Sequence, residues 1–73
     1  MKNNKVAVKS GYYFEIFDKN EIPLNLKLSD YKVKLDGIIY DLYKATTLEQ
    51  EREIDNMYGD RMGYYIDDYI VKY

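Results

Sequence analysis

Cysteine, histidine and tryptophan are absent from this chain of 73 residues, proline occurs once and glycine four times. Without cysteine there is no disulfide, no thiol nucleophile and no thiolate ligand for zinc. Without histidine the imidazole ligands and the commonest general base are missing as well. These absences remove most enzyme classes, so the chain is expected to be no enzyme and to need no cofactor and no metal. No apolar run approaches the roughly 18 residues that a membrane span requires. Met1 to Ser10 lacks the continuous apolar stretch of a secretory signal. The expected location is therefore cytoplasmic, in a bacterial host cell, with no membrane partner.

The length leaves room for one core, and residues 1–73 are read as a single small domain with residues 1–4 as a simple tail. A chain this short buries only about 60% of the surface its unfolded form exposes. Its stability is then a few kcal/mol, at roughly 0.05–0.15 kcal/mol per residue. A homodimer would supplement that. Hydrophobic residues make up 47% of the chain and alternate with charged ones, which is the pattern of a folded protein.

What is plentiful is tyrosine: ten, against two phenylalanines. Tyrosine joins a large apolar ring to a polar tip and loses little rotamer entropy on ordering, which suits partly exposed contact surface. A codon bias that places Tyr where Phe would serve is the plainer explanation. Charge is split along the chain, with +3 over residues 1–35 and −5 over residues 36–73. Such polarity suits an acidic face turned to a basic partner, or head-to-tail pairing of two copies.

Along the chain, Val6 and Val8 alternate with Lys5, Ala7 and Lys9, and Tyr12 to Phe17 carries apolar residues on both faces. This predicts a strand, bent or bulged near Gly11. Asp18, Lys19 and Asn20 form turns. Ile22, Leu24, Leu26 and Leu28 then recur with a period of two, predicting a half-buried strand with the Pro23 end on a sheet edge. After Ser29-Asp30, the alternation of Tyr31, Val33 and Leu35 runs to Asp36-Gly37, a type I′ hairpin signal, and continues through Ile38 to Tyr43. Thr47 with Gln50 fits a capping box, starting a helix that carries Leu48, Ile54, Met57 and Tyr58 and stops near Gly59. Tyr64 to Val71 is read as a last strand, because Gly59 and Gly63 would each cost about 1 kcal/mol in a continued helix.

The motifs exclude more chemistry than they supply. Asp67 and Asp68, if adjacent on a strand, point to opposite faces and cannot share a catalytic site. Asp55, Asn56 and Asp60 lack the alternating oxygen ligands and the terminal glutamate of a calcium loop. Gly59 and Gly63 are not followed by the Lys-Ser/Thr of a phosphate loop. Lys27, Lys32 and Lys34 with Tyr31 are compatible with a nucleic-acid strip, but alternating lysines also mark the solvent side of a half-buried strand, and the chain is acidic overall. Nucleic acid is not the expected partner.

The C-terminal cluster of Asp60, Tyr64, Tyr65, Asp67, Asp68, Tyr69 and Tyr73 sets carboxylates among phenol rings. Carboxylates spaced along a surface imitate phosphates, and tyrosines beside them anchor an interface. The alternative is that Ile66, Ile70 and Val71 with two of the tyrosines are core, and that the aspartates only keep the other face in water.

The expected fold is α+β: a mostly antiparallel sheet of about 4–5 strands with one helix, in the order β-β-β-β-α-β. The expected function is a small acidic protein-binding module that occludes a basic, nucleic-acid-binding surface of a host protein, for example a host nuclease. In size, acidity and lack of catalytic residues the chain is similar to the small inhibitors that phages and plasmids use against host nucleases, anti-CRISPR proteins among them. That similarity lies in composition and covers no defined residues. An immunity or antitoxin protein, a self-associating structural protein and a nucleic-acid-binding domain are the alternatives.

Overall fold

A computed structural model describes residues 4–22 and 25–71. Strands β1 (Lys5–Ser10) and β2 (Tyr13–Asp18) form a hairpin, and β3 (Lys27–Leu35) and β4 (Ile38–Lys44) form a second. Helix α1 (Leu48–Tyr58) follows, then β5 (Tyr64–Tyr65), one helical turn α2 (Ile66–Tyr69) and β6 (Ile70–Val71). The six strands make one sheet in the order β5-β2-β1-β4-β3-β6. Every pairing is antiparallel except that of β1 with β4, which is parallel. The two edge strands, β5 and β6, are separated in the chain only by α2, so the sheet curls until one short segment spans the gap between its edges.

The curl produces two cores. Its inner face holds Ala7, Phe14, Val33, Tyr40, Leu42 and Ile66. Its outer face holds Val6, Val8 and Phe17 under Ile54 and Tyr58 of α1. Central β1 is therefore buried on both sides at Val6, Ala7 and Val8. The four-residue spacing of Ile54, Tyr58, Met62, Ile66 and Ile70 has the same origin. The first three pack on the outer core and the last two on the inner one, as the chain passes from one side of the sheet to the other.

The expected α+β class holds, while the number and order of strands differ. The long first strand is a hairpin, with Ser10 paired to Tyr13 and a positive φ of 61° at Gly11 alone, the pattern of a type II′ turn. Of the expected strand from Ile22 to Leu28, Ile22, Asn25 and Leu26 lie outside any strand and Lys27 and Leu28 begin β3, while Lys19–Glu21 before it forms a 3₁₀ turn. Ile22 and Leu26 still pack on the outer core, but Leu28 is 51% exposed beyond the reach of the helix. The expectation for Pro23 and Leu24 lies outside the described residues. Ser29-Asp30 is no break; it is a bulge inside β3, where the Ser29 hydroxyl accepts from the Tyr31 amide at 3.1 Å and donates to the Tyr31 carbonyl at 2.9 Å. The last expected strand, Tyr64 to Val71, is interrupted by α2, which the strand-forming tyrosines and β-branched residues conceal. Residues 1–3 of the expected tail lie outside the described residues, and the Asn4 carbonyl accepts from the Lys19 amide at 2.7 Å.

Helix α1 is as expected at its start. Thr47 Oγ1 accepts from the Gln50 amide at 3.1 Å, while Gln50 Oε1 accepts from the Thr46 amide at 2.7 Å, one residue further back than in the usual box. The helix is tied down at both ends: Gln50 Nε2 donates to the Asn25 carbonyl at 2.8 Å, and the Tyr58 hydroxyl to the Glu21 carbonyl at 3.1 Å. Leu48 and Met57, expected on its apolar stripe, are exposed. The outer edge of β2 past β5 is closed by side chains, the Ile16 amide donating to Glu15 at 3.0 Å and the Asp18 amide to Glu21 at 3.0 Å. A strand edge closed in this way does not template pairing with another chain.

The Asp36-Gly37 hairpin is present, with φ of 53° and 81° at the two loop residues, both positive as type I′ requires. Gly37→Val should therefore destabilise the domain by roughly 1–3 kcal/mol, because a β-branched residue resists positive φ. Exposed Lys34→Thr should stay within about 0.5 kcal/mol of the parent. Urea midpoints measure both, and an unchanged midpoint for Gly37→Val would contradict the turn.

Candidate functional site

The C-terminal cluster divides into two parts. Tyr64 and Tyr69 turn into the inner core: Tyr64 stacks on Phe14 with centroids 5.4 Å apart, Tyr69 meets Phe14 edge-on at 5.7 Å, and the two tyrosines meet edge-on at 5.4 Å. Ile66 is buried and Ile70 packs on the same cluster. Tyr65, Asp67 and Asp68 are exposed. Because α2 is a helical turn, Asp67 and Asp68 follow one another around its outside, rather than projecting to opposite faces of a strand. Asp60 stands apart, on the 3₁₀ turn Gly59–Arg61 that follows α1. There the Arg61 guanidinium lies 4.6 Å over the Phe17 ring and 3.6 Å from Glu21. Tyr73 lies outside the described residues.

The topology brings further residues to Tyr65 and Asp67. Tyr13 pairs with Tyr65 across β2 and β5, and their rings meet edge-on at 5.6 Å. Tyr12, at the tip of the first hairpin, is 76% exposed. Its carbonyl accepts from the Ile66 amide at 2.9 Å, which fixes α2 against the hairpin. Of the exposed tyrosines, Tyr12 and Tyr31 border one cleft together with Asp67, while Tyr13 and Tyr65 pair with each other on the opposite face of the sheet. Two clefts flank Tyr12. One, of about 390 Å³, runs between the hairpin and the start of α1, where Leu48, Glu51, Arg52 and Asp55 line it. The other, of about 280 Å³, opens at the end of the curl between Tyr12 and Tyr31, with Asp67, Lys9 and Lys44 on its walls.

Of the cluster read from the sequence, Tyr65, Asp67 and Asp68 are exposed; exposed Tyr12, Tyr13 and Leu48 were not among the residues singled out for contact. The available signal was Gly11: read as the first residue of a two-residue turn, it would have put Tyr12 and Tyr13 at a hairpin tip. Of the lysine strip, Lys32 is ion-paired with Asp41 on the outer face. Even-numbered Lys34 shares that face, and odd-numbered Lys27, opposite Lys44, lies on the inner one. The three lysines do not form one strip.

Among the described residues no cluster of three or more metal-ligating side chains occurs. No helix among them is long and apolar enough to cross a membrane. Comparison with family models, with curated proteins and with solved structures gives no match.

The electrostatics of the cluster centre on Tyr65, whose phenol is raised above the ordinary tyrosine value. The Asp67 charge is the main cause, followed by desolvation and hydrogen bonding to Asp67, with Tyr13 and Asp68 adding. A raised phenol holds its proton more tightly when folded. Its contribution to stability is therefore present below the unfolded value near 10 and lost as pH rises through the higher folded one. In a ring-carbon NMR titration Tyr65 should deprotonate later than an ordinary tyrosine, and Asp67→Asn should bring it back towards the usual value. A Tyr65 curve unmoved by Asp67→Asn would contradict the contact.

Proposed function

We propose that the chain is a non-enzymatic protein-binding module whose tyrosine-rich acidic end docks on a basic surface of another protein. The observation that carries this reading is the exposed pair Tyr13 and Tyr65 beside Asp67 and Asp68, with exposed Tyr12 fixed next to them by its bond to Ile66. The rings of Tyr13 and Tyr65 are rigid anchors, since the backbone beneath them is paired. Such anchors lose little entropy on binding, and carboxylates beside them set orientation and speed encounter with an oppositely charged partner. Burial of a few tyrosines supplies affinity; the aspartates supply selectivity for basic surface.

A module of this kind acts by occlusion. A basic surface that normally holds the phosphates of nucleic acid would accept carboxylates at similar spacing, and the bound module would then exclude the nucleic acid. An inhibitor carried by a phage or another mobile element against a host nuclease belongs to this reading, on the strength of size, acidity and the lack of catalytic residues.

The test uses the partner captured from a cell lysate with a tagged chain. Asp67→Lys combined with Asp68→Lys should weaken that complex by 10-fold or more, about 1.4 kcal/mol. The thermal midpoint should stay within about 4 °C of the parent, since both residues are exposed. Raising salt from about 50 to 300 mM should slow association more than it speeds dissociation. A double variant that binds as well as the parent would contradict the proposal.

A further inference from the structure

Composition points away from nucleic acid, yet the sheet assembles a basic row that no single segment displays. Lys27 of β3 stands directly opposite Lys44 of β4. The parallel register of β1 with β4, Ala7 with Leu42 and Val8 with Tyr43, places Lys9 beside Lys44 one pair further on. Ala7 and Leu42 belong to the inner core, so Lys9 and Lys44, two residues on in each strand, share the inner face. Three lysines therefore lie side by side on three adjacent strands, with about 4.8 Å between neighbouring strands. Among the described residues the ion pairs are Lys5–Asp18, Lys32–Asp41 and Arg61–Glu21, and Lys9, Lys27 and Lys44 take part in none of them. Like charges placed directly across a sheet destabilise it.

Lys9 and Lys44 form a wall of the 280 Å³ cleft at the open end of the curl. Its floor is apolar, from Leu42, Ile66 and Ile70, and Tyr12 and Tyr31 stand at its rim. Asp67 and Asp30 also border it. The Asp67 carboxylate lies against Tyr65, and Asp30 sits exposed on the bulge of β3. A ligand suited to this cleft carries an anionic group for the lysines and a flat or apolar body for the floor and the phenol rings. Aromatic faces beside a basic row are the means by which proteins hold unpaired nucleotides, each base stacking on a ring while the backbone follows the positive charge.

We propose that the cleft between Tyr12 and Tyr31 binds a nucleotide unit, its base against the tyrosine rings and its phosphate on Lys9 and Lys44, with Lys27 extending the phosphate path. This site meets the acidic surface at Tyr12 and Asp67, but the lysines hold the ligand here, whereas the aspartates hold the protein partner there. The nucleotide is supplied either by a single strand or as a free mononucleotide, and the two sources are separable by experiment.

The full chain is titrated at about 50 mM salt with a fluorescein-labelled twelve-residue oligothymidylate, with thymidine monophosphate and with inorganic phosphate. Amide shifts at Lys9, Tyr12, Tyr31 and Lys44 report the site. Oligonucleotide binding much tighter than that of the mononucleotide assigns the site to single strands, and comparable binding assigns it to free nucleotides. Binding to the strand should fall with salt at a slope near −2 on logarithmic axes, as expected for about three phosphate contacts at roughly −0.7 each. Lys9→Gln combined with Lys44→Gln should weaken binding by 10-fold or more while the thermal midpoint stays within about 4 °C of the parent. Tyr12→Ala should weaken the base-bearing ligands and leave inorganic phosphate unchanged, and Asp30→Asn should tighten all three. Asp68→Lys, which lies outside the cleft lining, should keep oligonucleotide binding even where it weakens the protein complex. The proposal is overturned if neither nucleotide ligand shifts the cleft amides at millimolar concentration. It is equally overturned if the Lys9/Lys44 variant binds as the parent does, or if inorganic phosphate binds as tightly as the mononucleotide.

Discussion

The ring of Phe14 is the point on which closure of the sheet depends. It is fully buried, with Tyr64 stacked on it and Tyr69 against its edge. Those two tyrosines belong to β5 and α2, at the start and the end of the stretch that carries the chain from one edge of the sheet to the other. β5 and β6 pair over only two residues each, too few to hold a strand by hydrogen bonds alone. Ring packing worth about 0.5–1.5 kcal/mol per aromatic pair beyond area burial supplies what the short ladders do not. The Ile66 amide bonded to the Tyr12 carbonyl and the burial of Ile66 complete the attachment.

Both surfaces of interest follow from that closure. Tyr65, Asp67 and Asp68 are left exposed because Tyr64, Ile66 and Tyr69 turn into the inner core. The cleft exists because α2 spans the curl at the height of the first hairpin tip, leaving an opening floored by Leu42, Ile66 and Ile70. Aromatic residues thus have two separate duties in this chain. Tyr40, Tyr58, Tyr64 and Tyr69 pack the cores, and Tyr12, Tyr13, Tyr31 and Tyr65 remain available to ligands.

The local signals in the sequence were legible where they were self-contained. Asp36-Gly37 and Thr47 with Gln50 each specify their structure within a few residues, and both are present. The alternation of Tyr40 and Leu42 against Ile39 and Asp41 reads through to burial in the same way. What was not legible depends on partners distant in sequence. That β1 is central, with Ala7 as deeply buried as Val6 and Val8, follows only from its pairing with both β2 and β4. The tyrosines and isoleucines of residues 64–71 have strand propensity throughout, but the need to cross from one sheet edge to the other imposes a helical turn on Ile66–Tyr69. The division of the C-terminal cluster into core and surface, and the row of Lys9, Lys44 and Lys27, exist only once registers are set. No reading of neighbouring residues contains them.

If closure rests on Phe14, then shortening that ring should release the whole closing segment together and leave the two hairpins paired. Native-state hydrogen exchange in Phe14→Leu is the most direct measure, read at the Ile66 amide, bonded to Tyr12, and at the Ile70 amide, bonded to Ile66. The account predicts that both lose protection by the same factor, through one opening of the segment, while amides between β1 and β2 exchange only through global unfolding. Protection at Ile66 and Ile70 that stays at the parent level, or that is lost at one and kept at the other, would contradict it.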